Sequence, residues 1–397
     1  MTDRPPALRV EIIDDVDGFD RLREQWQGLH ARTVPRNVFS SYAWSRTWWR
    51  NFGEERRLFL LAVRDRERLL ALAPLELSRE NFGPVSVRAL QIVGTAGVPS
   101  RGMGLADRAD FLVEPGRSDA LDQLVRSIVE EQAWDVLLLR GLPEASPTLG
   151  ALEATLSSER VILRRRRRSN SFVLELPASW DAFLASKSAK WRKTHRAQAN
   201  RAERAGRVEY ERHFPCSSEE LERAWEHVVA INLSSWKADR GTGLLQLDVL
   251  REFFRELTAA AAEEGLLDLT LARLDGEPFA YELYLSTNDT AGAYDGAYRR
   301  DTAHLSPGIL ITGFLIRDSI ERGMQAFDFM RGDEPYKQRW GGEERHEVQL
   351  AAYRSRRPRA MLAMTAIEVK ALLKRLAWIE QLSDRATGAW VKWSMRR

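Results

Sequence analysis

Ser306-Pro307-Gly308 separates a strand-like run, Ala291 to Ala297, from an apolar-periodic helix that ends at Arg322-Gly323. Serine suits a helix N-cap, proline the first helical position, and glycine a backbone that another molecule approaches closely. The amides of Gly308, Ile309 and Leu310 would open such a helix unpaired. With the positive end of the helix dipole they make an anion site, and Arg299 and Arg300 just upstream can add charge to it. A phosphate-bearing cofactor is the natural occupant.

Acid–base groups cluster around this turn. Asp295 lies in Tyr294-Asp295-Gly296-Ala297-Tyr298, Asp328 in the strand Ala326-Phe327-Asp328-Phe329-Met330, and Glu334 in Arg331-Gly332-Asp333-Glu334-Pro335-Tyr336-Lys337. Ligands of mixed sheets sit where strands end beside helices. Asp328 alternates with apolar neighbours, so burial should raise its pKa unless Arg331 or Lys337 holds it ionised; a structural ion pair at the strand end is the plainer alternative. Asp295 and Asp328 rank first as bases, then Glu334, while Tyr336 or Tyr298 could protonate a leaving group. The six histidines, at 30, 195, 213, 227, 304 and 346, show no pair at ligand spacing, and with one cysteine no metal site suggests itself. A Walker loop, a dinucleotide glycine pattern and a Gly-x-Ser-x-Gly elbow are all missing from the sequence.

The ordered set Tyr294-Asp295, Ser306-Pro307-Gly308, Phe327-Asp328-Phe329 and Arg331 to Lys337 with Trp340 resembles the CelD/BcsL-like branch of the GNAT acyltransferases, found in bacterial cellulose and exopolysaccharide contexts. The similarity runs weakly from about Phe39 to Tyr353 and is sharpest between Trp236 and Trp340. It implies a mixed α/β fold of two tandem GNAT-like domains. It also implies acetyl-CoA or another acyl-CoA as co-substrate, no metal, and transfer to an amine acceptor. Trp236 and Lys237 match a family position near the acceptor side, with Arg331 and Lys337 as further candidates for substrate contact. Such transfer needs a grip on the cofactor phosphates, polarisation of a thioester carbonyl by a backbone N–H near Asp295, a base for the amine and a proton for the thiolate. A polysaccharide amino group, a lipid-linked intermediate, a nucleotide sugar or a protein amine would all fit as acceptor.

These residues need elements to hold them. At 397 residues, 44% hydrophobic and 29% charged, the chain can bury two cores of ordinary size. The single Cys216 excludes an internal disulfide and fits a reducing cytosol. With no apolar leader and no apolar run of about 18 residues, the expectation is a cytoplasmic protein, peripheral at most to the inner membrane face. The net charge of +3 is uneven: residues 160–213 hold 15 Lys/Arg against 5 Asp/Glu, and residues 354–397 hold 11 against 3. That asymmetry points to an anionic contact at both segments, whether cofactor phosphate, nucleic acid or membrane surface.

The first half reads as a strand 8–13, a helix Val16 to Ala31, an aromatic core cluster Phe39 to Trp49, a hairpin of Leu58–Val63 and Leu69–Leu77, a strand near Val113, a helix 119–131 and a strand Trp134 to Arg140. Arg164 to Arg168 lie between strand-like runs and read as an exposed or edge strand. The basic helix Lys187 to Arg204 should lie on the surface with one narrow contact at Trp191, ended by Gly206. A capping box at Ser217 opens a helix 218–236, a second helix covers 247–264, and Asp275-Gly276 turns a hairpin. Leu61-Ala62, Asp65 and Glu67 recur as Leu271-Ala272, Asp275 and Glu277 within the same order of helices and hairpin. Two related α/β units follow, of which only the second has a Ser-Pro-Gly turn. The expected division is 8–160, a basic linker 161–206, an acyltransferase domain 207–355 and a basic amphipathic helix 356–397.

A coenzyme A-dependent N-acyltransferase is the leading reading. The basic helix also motivates a Fem-type aminoacyl-tRNA-dependent peptidyltransferase, since tRNA binding rests on phosphate contacts, although nucleic acid is the less favoured partner. The stretch Arg359 to Trp393 motivates a non-enzymatic docking module with peripheral membrane contact through residues 360–397; packing on the protein itself competes with it.

Overall fold

The computed structural model describes residues 8–98, 104–157, 160–332 and 334–373. Its first half contains β1 (Arg9–Ile13), α1 (Val16–Arg21), α2 (Arg23–Arg32), α3 (Tyr42–Phe52), β2 (Arg57–Asp65), β3 (Arg68–Phe82), β4 (Val85–Ile92), β5 (Leu112–Val113), α4 (Ser118–Glu130), β6 (Val136–Pro143), α5 (Pro147–Ser157) and β7 (Val161–Glu175). Next come α6 (Trp180–Ser186) and α7 (Ala189–Ala205). The second half holds β8 (Val208–Arg212), α8 (Ser218–Leu233), α9 (Trp236–Asp239), α10 (Asp248–Glu263), β9 (Leu267–Leu274), β10 (Glu277–Leu285), β11 (Thr290–Tyr298), α11 (Pro307–Glu321), β12 (Ala326–Arg331), α12 (Pro335–Trp340) and β13 (Glu343–Arg354). Residues 358–373 form a closing helix.

The recurrence seen in the sequence is structural. Each half runs strand, helices, three antiparallel strands, helix, strand, helix, strand, and the strands join one mixed sheet in the order β1-β2-β3-β4-β6-β13-β7-β12-β11-β10-β9-β8, with β5 beside β3. The last strand of each half has changed places. β13 lies against β6 of the first half, β7 lies against β12 of the second, and β7 and β13 pair antiparallel between them from Val161↔Arg354 to Val173↔Glu343. The Arg164 to Arg168 row is therefore an edge on one side only. It is laddered to β13 at Ala351 to Val348, whereas β12 joins β7 further on, from Ser171 to Glu175. Glu144 takes both Arg165 and Arg167, and Glu368 of the closing helix takes Arg164.

One apolar core crosses the two halves. Trp44 and Phe52 of α3 meet Phe253 of α10 with ring centroids 5.8 and 5.3 Å apart. Burying each such side chain contributes about 1.5–3 kcal/mol. The basic helix α7 makes the narrow contact expected: Trp191 stacks on His195 at 4.9 Å and meets Trp340 edge-on at 5.3 Å. The closing helix buries Ala360, Ala363 and Met364 against Val136, Leu138 and Tyr353, so its described part packs on the protein's own sheet. Residues 374–397, including Trp390 and Trp393, lie outside the described residues.

Two helices stop earlier than their periodicity implies. The expected helix from Val16 breaks at Leu22 into α1 and α2. The helix expected to reach Trp236 ends at Leu233, because the Ser235 side chain caps a new turn by accepting from the Lys237 amide. That restart puts Trp236 and Lys237 at the head of α9, facing the second half's sheet.

Candidate active site

β11 and β12 are parallel neighbours for only three residue pairs, Thr290↔Ala326 to Gly292↔Asp328. Beyond these they part. Met330 enters the left-handed region with φ 54°, and β12 rejoins β7 at Arg331↔Ser171. On β11 an extra residue falls between Leu283↔Asp295 and Tyr284↔Ala293, a bulge at Tyr294 that re-aims the side chains beside it. The gap opens into a cavity of about 550 Å³. Its wall comes from β10, β11, β12, α9, the start of α11, α12 and, from the first half, Gly104, Leu105 and Asp107. Tyr294 Oη donates to the Leu105 carbonyl at 2.8 Å, which ties that segment to the bulge.

The head of α11 is open, with a correction to its capping. Pro307 holds the first helical position as expected, but Ser306 is left-handed (φ 61°, ψ 49°) and its side chain caps nothing. It closes the 3-10 turn of residues 300–305 instead, its amide donating to the Ala303 carbonyl at 3.1 Å. The Ser306 carbonyl takes the amides of Ile309 (3.0 Å) and Leu310 (3.3 Å), so two of the three expected donors are spent. That leaves Gly308, where an added Cβ would meet only the Tyr298 ring, at 3.9 Å. Arg299 and Arg300 do not line the cavity. Asp301 holds the first at 2.5 Å and Asp239 the second at 2.5 Å, both out at the surface.

The predicted carboxylates separate. Asp328 is buried, does not line the cavity, and is paired with Arg108 of the first half while accepting from the Met330 amide at 2.9 Å. The cation holding it is neither Arg331 nor Lys337, and the plainer reading of a structural pair prevails. Asp295 does face the cavity. It accepts from Lys237 Nζ at 2.7 Å and from Tyr281 Oη at 2.5 Å, and the Asn232 amide in turn donates to Tyr281 Oη at 2.7 Å. Burial works against the Lys237 charge, yet Asp295 beside it holds the ammonium above its ordinary pKa.

Sequence reasoning missed Glu282. It lies on β10 opposite Gly296 of β11, and a Cβ at Gly296 would come within 2.0 Å of a Glu282 oxygen. A glycine inside a strand, facing a glutamate, was the available signal. Burial pushes the Glu282 carboxyl up to about 7, with Asp295 adding to the rise and Lys237 and Lys337 opposing it. It has no hydrogen-bond or ion-pair partner among the described residues.

The remaining candidates converge on the same space. Tyr336, 43% exposed, stands in the cavity wall, and lost solvation together with the carboxylates of Glu282, Glu334 and Asp295 keeps its phenol protonated well above the usual range. Lys337 donates to the Arg331 carbonyl at 2.7 Å and pairs with Glu334 at 2.9 Å. Arg331 pairs with Asp107 at 2.6 Å and donates to the Ala106 carbonyl at 2.7 Å. Trp236 lines the cavity with its ring 5.0 Å from the Arg240 guanidinium. Among the described residues no group of His, Cys, Asp and Glu could hold a metal ion, and no helix is long and apolar enough to cross a membrane.

An elevated carboxyl and a protonated phenol facing one cavity are an acid–base pair suited to moving protons around a displacement at a carbonyl. Comparison with known proteins agrees at the level of fold. Residues 189–338 match the family model described as an acetyltransferase (GNAT) domain. No curated protein matches the sequence. Among solved structures, FemX is 13% identical with a TM-score of 0.57, covering 86% of this chain and 97% of its own. The C-terminal domain of a putative lysylphosphatidylglycerol synthetase from Agrobacterium fabrum is 13% identical with a TM-score of 0.52, covering 88% and 97%. A conserved protein of unknown function from Bacteroides thetaiotaomicron is 14% identical with a TM-score of 0.51, covering 87% and 100%. At such identities the likeness is one of fold. Residues 189–338 are thus similar to a GNAT-type acetyltransferase domain, and they sit in a mixed α/β architecture that extends well beyond the matched segment.

Proposed function

We propose that this cavity transfers an acyl group from an acyl-CoA to an amine. The observation that carries the reading is the parting of β11 and β12 next to the open Gly308 backbone, with the unpaired Glu282 carboxyl inside the gap. Bound acyl-CoA would supply an activated carbonyl and a thiolate leaving group. Gly308, at the positive end of α11, offers its free amide and unobstructed space to the pyrophosphate. The edge of β11 past Gly292, released from β12, presents backbone amides to the thioester arm and its carbonyl oxygen.

Glu282, as carboxylate, takes a proton from the acceptor ammonium. The free amine then forms the C–N bond as the C–S bond breaks, and the Tyr336 phenol gives its proton to the departing sulfur. The surplus proton on the new amide nitrogen returns to the Tyr336 oxygen, and Glu282 releases its own to solvent, so one proton is freed per turnover. Asp295, compensated by Lys237 and held by Tyr281, fixes the wall beside Glu282. Calorimetric titration with acetyl-CoA tests the donor half. Wild-type protein should bind, and Gly308→Glu, which sets a carboxylate at the amide left free of the three expected at the head of α11, should weaken binding by at least about tenfold. Absence of wild-type binding sinks the reading.

The aminoacyl-tRNA alternative keeps one observation in its favour. Lys190, Lys193 and Arg196 stand exposed on α7, with no ion pair among the described residues. Filter binding of charged tRNA, read at rising salt, decides it; no retention at low salt removes it.

A further inference from the structure

Among the described residues, every cation in the cavity wall is already taken. Lys237 is held by Asp295 at 2.7 Å, Arg331 by Asp107 at 2.6 Å and by the Ala106 carbonyl, and Lys337 by Glu334 at 2.9 Å and by the Arg331 carbonyl. Three cations against three carboxylates leave Glu282 as the fourth acid with no partner among the described residues. Around it the wall is aromatic, with Trp236, Tyr281, Tyr294, Tyr298 and Tyr336. Aromatic faces attract cations, and an uncompensated carboxylate in a half-enclosed space attracts them more strongly.

We infer that the acceptor is an amine that arrives as a cation and carries no carboxylate or phosphate close to its nitrogen. The inference rests on the acyl-transfer reading and names the acceptor class for that same cavity. An ammonium placed to surrender its proton to Glu282 makes the ion pair that the wall leaves unmade. An anionic group a few ångströms from that nitrogen would find no free ammonium or guanidinium among the described residues of the wall, and it would face the uncompensated Glu282 instead. Free α-amino acids and amines adjacent to a phosphate are therefore excluded, while alkylamines and unphosphorylated amino sugars are admitted. The donor pyrophosphate escapes the exclusion because it is held at Gly308, where the helix dipole supplies the positive field.

The isosteric pair n-propylamine and β-alanine tests this, since they differ only in a methyl against a carboxylate. Both are titrated calorimetrically into the full-length protein without any acyl donor. Propylamine should bind at least about tenfold more tightly than β-alanine, and Glu282→Gln should erase the difference by weakening propylamine alone. Glu334→Gln, which releases Lys337, should strengthen β-alanine by about fivefold or more and leave propylamine nearly unchanged. Equal affinities, tighter β-alanine, or no response to either amine up to roughly 50 mM would overturn the assignment. Because no donor is present, failure here is separable from failure of the acetyl-CoA titration, which overturns the transferase reading itself.

Discussion

At the scale of single residues, Glu282 and Asp328 stand in surroundings opposite to those their sequence neighbours imply. Asp328 sits between two phenylalanines on a strand and reads as a buried base, but a cation 220 positions earlier, Arg108, settles it as a structural anion. No local pattern announces that partner. Glu282 looks like an ordinary polar position in an alternating strand, yet the strand partner across from it is Gly296, which leaves its carboxylate room in the cavity. Two expectations follow. Glu282→Gln should lower kcat/KM by about 10²–10⁴-fold, and wild-type activity should fall as pH drops through about 7, where Glu282 takes up a proton. A pH profile without that limb would assign the base elsewhere. The same shift bears on stability with a definite sign: a carboxyl raised from 4.5 to about 7 on folding favours the native state when neutral, and that contribution fades as pH rises from 4.5 through about 7. Thermal unfolding at pH 8 should therefore show Glu282→Gln more stable than wild type while less active. Tyr336→Phe should reduce kcat by about 10²-fold or more with little effect on acetyl-CoA affinity, a split that steady-state kinetics and titration together can read.

At the scale of elements, local signals were legible and long-range ones were not. The proline at the head of α11, the capping box of Ser217 and Glu220, and the hairpin at Asp275-Gly276 appear as the sequence implies, because each is a contest among neighbours in the chain. The Ser306 cap failed because that residue also has to end the preceding 3-10 turn, and a left-handed residue cannot aim its hydroxyl at the next helix's amides. Arg299 and Arg300 stay out of the cavity wall, held at the surface by Asp301 and Asp239. The segment from Gly104 to Arg108 is the unforeseen element. Its carbonyls and side chains pin Tyr294, Arg331 and Asp328, so a loop from one half finishes the wall of the other half's cavity. Arg108→Ala should destabilise the protein by about 3–5 kcal/mol by stranding the Asp328 charge, and adding Asp328→Asn should recover much of that loss. Denaturant melts of the single and double variants check it. Asp328→Asn on its own should leave the pH limb near 7 in place, which would separate the structural carboxylate from the catalytic one.

At the scale of the whole molecule, the repeat was visible as a 210-residue echo, but the exchange of final strands was not, since the alternation along β7 and β13 does not name their partners. Register and partner choice are properties of the finished sheet. The exchange and the core shared by Trp44, Phe52 and Phe253 predict one cooperative unfolding transition for both halves. Far-ultraviolet circular dichroism and tryptophan fluorescence should give coincident midpoints, and two separated transitions would show the halves to be energetically independent.

The placement of β13 also sets a timetable. The strand that must lie along β6 is made after everything else in the second half, so β6, with its run of Val136 to Leu139, emerges with one flank bare. Translating residues 161–342 at about 5–20 residues per second leaves that flank waiting for roughly 10–40 s. The nascent N-terminal half thus carries an open strand edge along β6 that closes only when β13 has been made and has paired with it.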